Sequence, residues 1–401
     1  MAKPKLWKLN PMDFTKLNPT RQEKIAQAPA AKLPEAASYK PNQIAAALHP
    51  GVQHLKVARV AEEAANCKTY YLVPNPEKGT KALAWFSAGQ YLSIRLEIGN
   101  VKLTRPYSIA SSPRQALDGT YMLTIQKTEG GLASQYIHDN WQVGTEVIAS
   151  APLGNFTYEP LRDAKTVVAL AGGSGITPFR SLAMAIADGD EDADLILLYG
   201  SRTLADAIFQ QELEALAARC SRIRLVNVLS HEQREGFEQG FLTAELIRKY
   251  APQGEDYSLF ICGPQVMRKF VDKEIPALGL RKKFIRHELF GEYFNPSQEA
   301  DYPADVAPEF RLTVRIAGHQ QTIPARADTS LLRTMESAGI AAPAHCRSGE
   351  CGWCHSRLVS GEVYTPKSVD GRREADLIYG YIHPCCAFPL SDLTIEVPPV
   401  K

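Results

Sequence analysis

The chain has 401 residues, 45% of them apolar and 22% charged, with a formal net charge of +1. The length exceeds one average core and suggests about three domains, and the composition is that of an ordinary globular protein. A near-neutral net charge points to neither nucleic acid nor anionic membrane as the main partner, and no apolar run approaches the roughly 18 residues of a membrane span.

Residues 1–50 form an extension with scattered Pro, Ala and Lys and two short helical stretches, Pro19 to Ala26 and Asn42 to Leu48. Met1 to Lys8 lacks the apolar core of a signal peptide. Together with the cysteine distribution, this gives a cytoplasmic protein as the expectation. From 51 to 160 the texture changes to short β-rich runs broken by Gly, Pro and Asn, as at Thr69–Val73, Tyr91–Leu96, Tyr121–Lys127 and Glu146–Ala149. Such spacing predicts a small antiparallel β-barrel, interrupted by one helix around Ala133 to Asp139.

Residues 161–295 alternate strand and helix. Thr166–Ala171 is a continuous apolar strand, followed by a glycine turn and a helix through Ile186. Strands are expected at Leu195–Tyr199, Ile223–Leu229 and Ser258–Cys262, with helices at Ala205–Arg219 and Thr243–Tyr250. Apolar strands each trailed by a helix predict an α/β domain with a parallel sheet covered on both faces. A Pro- and acid-rich linker, 296–307, leads to an α+β domain over 308–401. There a strand pair, Arg311–Ala317 and Gln320–Ile323, is expected to turn at Gly318-His319. A helix over Ser330–Ala338 and a last strand at Leu393–Val397 complete it.

Five of the eight cysteines crowd into this last domain, as suits a metal centre in a reducing compartment rather than a disulfide framework. Cys346, Cys351 and Cys354 have C-x4-C-x2-C spacing, and Cys385-Cys386 follow downstream. Three thiolates on a loop bent at Gly349 and Gly352, with a fourth from elsewhere, is the plant-type arrangement for a [2Fe–2S] cluster. Zinc sites favour paired C-x2-C units instead. By spacing alone, either Cys385 or Cys386 serves as the fourth ligand.

Four further motifs carry chemistry. Arg105-Pro106-Tyr107-Ser108 sets a guanidinium fork suited to a diphosphate beside an aromatic ring and a hydroxyl. It resembles the Arg-x-Tyr-Ser of ferredoxin–NADP reductase flavin domains, which implies the ring along an isoalloxazine face and the hydroxyl at the flavin N5. Gly131 to Ser134 open a helix whose amides attract phosphate. Gly173-Ser174-Gly175-Ile176-Thr177-Pro178 lies between strand and helix, where a dinucleotide pyrophosphate meets the backbone. Cys262-Gly263-Pro264-Gln265-Val266-Met267 closes a later strand at the sheet's carboxyl edge. Ser201 and Arg202, with Ser230 and Arg234, could hold a 2′-phosphate, which leans the choice toward NADPH, although Asp206 and Glu232 lie near.

The order of these motifs resembles the ferredoxin–NADP reductase superfamily over everything after residue 50. The domain order resembles the single-chain reductases of bacterial oxygenase systems, such as the phthalate dioxygenase and phenylacetyl-CoA epoxidase reductases. The resemblance implies a plant-type ferredoxin domain of β-grasp form whose Cys-x-x-x-Pro pattern selects Cys385, with Pro389, as the fourth ligand. Cys386 is then an ordinary thiol. It implies FAD rather than the FMN of some relatives, since the Gly-x-x-Ser helix grips the second phosphate. Cys262 is implied beside the nicotinamide. Glu288-Leu289-Phe290 resembles the Glu-x-Phe near the flavin, with Phe290, Tyr293 or Phe294 over the ring. Tyr107, Ser108, Cys262 and Glu288 form the implied catalytic set. The implied activity is hydride transfer from NAD(P)H to flavin, then single electrons to the [2Fe–2S] centre and on to a separate oxygenase. Two alternatives are an input module for an anaerobic metalloenzyme or corrinoid system, and a cofactor-carrying subunit of a larger redox complex.

Overall fold

The computed structural model describes residues 11–27, 35–289 and 291–400. The chain divides into two compact units, 1–48 and 49–401. The first holds helices α1 (Pro11–Gln27) and α2 (Lys40–Leu48), the former starting earlier than the sequence suggests and accommodating Pro19 within it. Among the described residues no helix is long and apolar enough to cross a membrane.

The second unit contains three main sheets. The first is six-stranded and antiparallel: β1 (Gln53–Ala64), β2 (Cys67–Pro74), β3 (Tyr91–Ile98), β4 (Val101–Ser108), β5 (Tyr121–Gln126) and β6 (Glu146–Ala149), in the order β4-β3-β6-β1-β2-β5. An Ile109–Leu123 bridge joins the two end strands and closes the barrel. Its interior is filled by Leu55, Tyr70, Leu92, Ile94, Tyr121 and Leu123. Two helices interrupt it rather than the one expected. Besides α4 (Leu132–Asn140), a single turn α3 (Pro113–Leu117) forms because Ser112 caps it in a reciprocal box with Gln115.

The second sheet is parallel throughout: β7 (Thr166–Gly172), β8 (Asp194–Ser201), β9 (Ile223–Leu229), β10 (Glu238–Gln239), β11 (Tyr257–Cys262) and β12 (Ile285–Glu288), ordered β10-β9-β8-β7-β11-β12. Val167, Ala169 and Ala171 face one core with α5 (Thr177–Ala187) and α6 (Gln210–Arg219). Val168 and Leu170 face the other with α7 (Ala244–Tyr250) and α8 (Gln265–Leu278). Helix α6 starts five residues later than the expected Ala205. A short 3-10 turn at Leu204–Asp206 and the left-handed Phe209 (φ 61°) break the run. The sequence pattern misses α8, whose last turn contains Pro276.

The third sheet comprises β13 (Glu309–Ile316), β14 (His319–Arg326), β15 (Ser356–Ser360), β17 (Tyr381–Ile382) and β19 (Leu393–Glu396), ordered β14-β13-β19-β15-β17. A small pair, β16 (Val363–Tyr364) and β18 (Phe388–Pro389), lies beside it. Parallel pairing of β13 with β19 and the packing of α9 (Leu331–Ser337) give a β-grasp layout. The hairpin turns one residue earlier than expected, at Ala317-Gly318, because His319 already pairs with Ile316. The segment read as a linker is anchored: Lys269 pairs with Glu299 at 2.9 Å and the Tyr364 hydroxyl donates to Asp301 at 2.7 Å. Short helix α10 (Glu374–Ile378) precedes β17.

Candidate functional site

Strand β4 carries Arg105, Tyr107 and Ser108, paired along their length with β3. Ser108 is buried in register with Tyr91, and the Tyr107 ring packs on the barrel core. Burial pushes the Tyr107 phenol upward, so it stays a neutral hydrogen-bonding ring. Arg105 turns one nitrogen to the Thr104 carbonyl at 2.9 Å and another to Glu292 at 3.2 Å. The start of α4 is tightly wound: Ser134 accepts from the Thr128 amide at 3.1 Å, and a side chain at Gly131 would collide with Ser134 and Thr128.

The glycine turn follows β7, the strand from which the chain departs to β8 on one side and β11 on the other. That reversal is where open α/β sheets bind ligands. Thr177 donates to the Ser174 carbonyl at 3.0 Å, and Pro178 sits in the first turn of α5, where its missing N–H costs nothing. A Cβ on Gly175 would lie 2.3 Å from the Cys262 carbonyl, so only glycine lets the two strand ends meet. Met267 packs its thioether against Gly172 and Gly263, next to Pro264, while Gly173 faces open space apart from Gln126. Cys262 therefore lies beside the turn, and in register with Glu288. Burial drives both groups toward their neutral forms. The thiol is raised by burial and then by Glu288, and the carboxyl well above its usual range by burial, Glu350 and Cys346. Phe290 lies outside the described residues; Tyr293 packs in the third-domain core, its ring 6.4 Å from Phe388, and Phe294 is half exposed.

At the end of β8 the Ser201 hydroxyl is buried against the Tyr199 phenol, while Arg202 is exposed. Ser230 shares a 2.8 Å hydrogen bond with His231. The two nearby acids are occupied: Asp206 accepts from the Thr203 amide at 3.2 Å and hydroxyl at 2.8 Å, and Glu232 from the Leu204 amide at 2.9 Å.

The cysteine loop folds around left-handed residues Arg347, Gly349 and Gly352. Only glycine fits at 349, since a Cβ there would lie 2.1 Å from the Val369 carbonyl. His383 Nδ1 shares a 2.7 Å hydrogen bond with the Gly349 carbonyl and fixes the bend. The sulfurs pair two and two. Cys354 Sγ is 3.4 Å from Cys385 Sγ, and Cys346 is hydrogen-bonded to Cys351. Amides aim at them: Cys351 N–H to Cys346 Sγ at 3.3 Å, Ser348 N–H to Cys346 Sγ at 3.5 Å, and Trp353 N–H to Cys351 Sγ at 3.5 Å. Those donors, with the Cys351 hydrogen bond foremost, lower the Cys346 thiol against the effect of burial and favour its thiolate. Cys386 instead turns to the His383 carbonyl at 3.5 Å. Among the described residues no three His, Cys, Asp or Glu side chains converge on one ion position. Two thiol pairs with amides aimed at sulfur suit two bridged irons. The buried Ser348 hydroxyl lies against Cys346 and adds a further donor to that sulfur.

Several residues that bind the three sheets together carry no local sequence signal. Arg180 on α5 donates to the buried Ala110 carbonyl of the barrel and to Glu212 at 2.9 Å, and Ser181 donates to the Ser111 carbonyl at 2.7 Å. Arg286 reaches back to the Thr157 carbonyl at 2.6 Å and to Asp163 at 2.9 Å. The Thr104 hydroxyl donates to the Ala344 carbonyl at 2.8 Å, joining β4 to the cysteine loop.

Three family models match in the order of the three sheets: an oxidoreductase FAD-binding domain over 55–158, an oxidoreductase NAD-binding domain over 169–273 and a 2Fe-2S iron-sulfur cluster binding domain over 314–390. The ferredoxin reductase component of 3-ketosteroid-9-alpha-monooxygenase from Mycobacterium tuberculosis is 31% identical over 357 residues, covering 86% of this chain and 95% of that one. The glycine betaine monooxygenase reductase subunit of Chromohalobacter salexigens is 28% identical over 362 residues, with the same coverage. Among solved structures, phthalate dioxygenase reductase superposes with a TM-score of 0.61 over 87% of this chain and 98% of that one, at 24% identity. Barrel, parallel sheet and thiol-bearing β-grasp domain together define a modular electron-transfer oxidoreductase. The chain belongs to the ferredoxin–NADP reductase superfamily, among its three-domain members with flavin, nicotinamide and [2Fe–2S] domains.

Proposed function

We propose that this chain is the NAD(P)H-oxidising reductase of a cytoplasmic oxygenase system and supplies single electrons to a separate oxygenase. The observation that carries the reading is one compact unit holding a flavin-type barrel, a glycine turn at a sheet reversal and two facing thiol pairs. When bound, FAD takes up the electron pair of NAD(P)H and the [2Fe–2S] cluster carries electrons away one at a time.

The protein's part is positional. Arg105 and the Gly131–Ser134 helix start hold the flavin diphosphate, Tyr107 lines its ring and Ser108 meets N5. Gly173, Gly175, Thr177 and Pro178 receive the dinucleotide pyrophosphate. Gly263, Pro264 and Met267 wall the nicotinamide end, with Cys262 beside it and Glu288 in register with Cys262 on the next strand. Ser201 and Arg202 favour NADPH, because Arg202 is exposed at the end of β8 and both nearby acids are bonded to backbone. Cys346, Cys351, Cys354 and Cys385 are the iron ligands, and the domains divide near 51–160, 161–295 and 308–401. All eight cysteines are free, which suits a reducing compartment.

The decisive measurement is anaerobic mixing of the purified protein with NADPH. Visible absorbance of flavin and iron–sulfide should both bleach, and reduced protein should support turnover of an oxygenase component. A colourless protein, or one whose colour NAD(P)H leaves unchanged, would refute the reading.

A further inference from the structure

A cluster of buried charge among the described residues lies where three sequence-distant segments meet. Arg347, between Cys346 and Ser348, has a side chain with no exposure. It donates to both carboxylate oxygens of Glu336 on α9, at 2.6 and 2.7 Å, and to Glu292, on the segment that leaves β12. The same Glu292 oxygen accepts from Arg105 at 3.2 Å, and Arg105 lies 3.8 Å from Glu336. Arg333 closes the rim 3.7 Å from the other Glu292 oxygen. Among the described residues Glu292 hydrogen-bonds both to the guanidinium on the flavin-side strand β4 and to the one inside the cysteine loop, whereas Glu336 hydrogen-bonds to Arg347 and meets Arg105 only as a longer ion pair. The adjacent Thr104–Ala344 hydrogen bond joins the same two segments.

Charge buried in this way is a poor source of stability, since apolar side chains of equal volume serve as well. It does fix geometry. Two-point guanidinium–carboxylate pairing sets angle as well as distance, and three guanidinium groups around two carboxylates leave no single relaxed alternative. The separation fixed here is between Tyr107, two residues beyond Arg105, and Cys346, next to Arg347. Electron tunnelling decays exponentially with such a gap, so small slippage is costly in rate.

We propose that Glu292 is a positioning residue for the flavin-to-cluster step, holding β4 and the cysteine loop at a fixed separation through Arg105 and Arg347. The inference rests on flavin lying along Tyr107 and the cluster on the four thiols named above.

The test uses holoprotein of the parent, Glu292→Gln and Glu292→Asp, mixed once with NADPH while flavin and iron–sulfide absorbance are followed separately, with iron content and hydrogen exchange measured alongside. In Glu292→Gln the flavin phase should stay within about twofold and the cluster phase should slow by about tenfold or more, as misplaced partners do. Exchange should quicken together in 101–108 and 344–354. Glu292→Asp should fall between, at full iron content, and it decides the matter if the Gln variant loses iron. An unchanged cluster phase, equal slowing of both phases, or unaltered exchange in those segments overturns the proposal. A parent that shows no flavin phase refutes instead the functional reading on which it rests.

Discussion

Arg180 should be the strongest single bolt between the nucleotide-binding sheet and the barrel. Its side chain is 5% exposed, whereas its partner Glu212 is 41% exposed, so the ion pair itself contributes only about 0–1 kcal/mol. The Ala110 carbonyl is different: it is fully buried, and losing its charged hydrogen bond costs about 1.5–3 kcal/mol. The guanidinium also stacks 4.9 Å from the Phe209 ring centroid, worth about 0.5–1 kcal/mol. Arg180→Met should therefore destabilise by about 3 kcal/mol, most of it from one orphaned carbonyl. Glu212→Ala should cost about 1 kcal/mol or less. In urea titrations followed by flavin release, the Met variant's midpoint should fall by roughly 1 M at an m-value near 3 kcal/mol/M, and the Ala variant's hardly at all. Equal losses in the two variants would refute the assignment of the energy to the carbonyl. Because α5 begins at the glycine turn, flavin reduction by NADPH should slow in Arg180→Met as well.

Cys385→Ser should abolish the cluster while Cys386→Ser spares it, because Cys386 is turned to the His383 carbonyl; iron content of the two purified variants checks this, and equal loss would defeat it. Arg202→Ala should raise KM for NADPH by about tenfold, the value of one charge-assisted phosphate contact, with little effect on NADH; steady-state kinetics with both nucleotides decide it. Glu288 has a folded-state pKa raised by burial, so its protonated form stabilises the fold at low pH. That contribution fades as pH rises past the ordinary carboxyl value toward the folded one, at about 1.4 kcal/mol per unit. Glu288→Gln, which mimics the protonated group, should thus gain stability over the parent at pH 8 and none at pH 4, read from paired urea midpoints.

Much of the site is written in local chemistry. Cysteine spacing, the Gly173–Pro178 turn and the continuous apolar strands are legible because they reflect short-range backbone sterics and burial on both faces of a sheet. The same locality explains the misses. Helix α6 was expected to start at Ala205, but Phe209 takes a left-handed backbone that no neighbouring residue demands. Helix α8 hides behind Pro276 in its last turn.

By itself, the sequence determined three domains in order, the kinds of cofactor each holds, and the thiols available to iron. Only the tertiary structure decided which of two adjacent cysteines turns toward Cys354, and that Arg105, Arg180, Arg286 and Arg347 each find partners far away in the chain. The reason is physical. A turn is dictated by the residues within it, whereas a buried guanidinium is tolerated only where remote segments bring oxygen atoms to it, and no local pattern encodes that meeting.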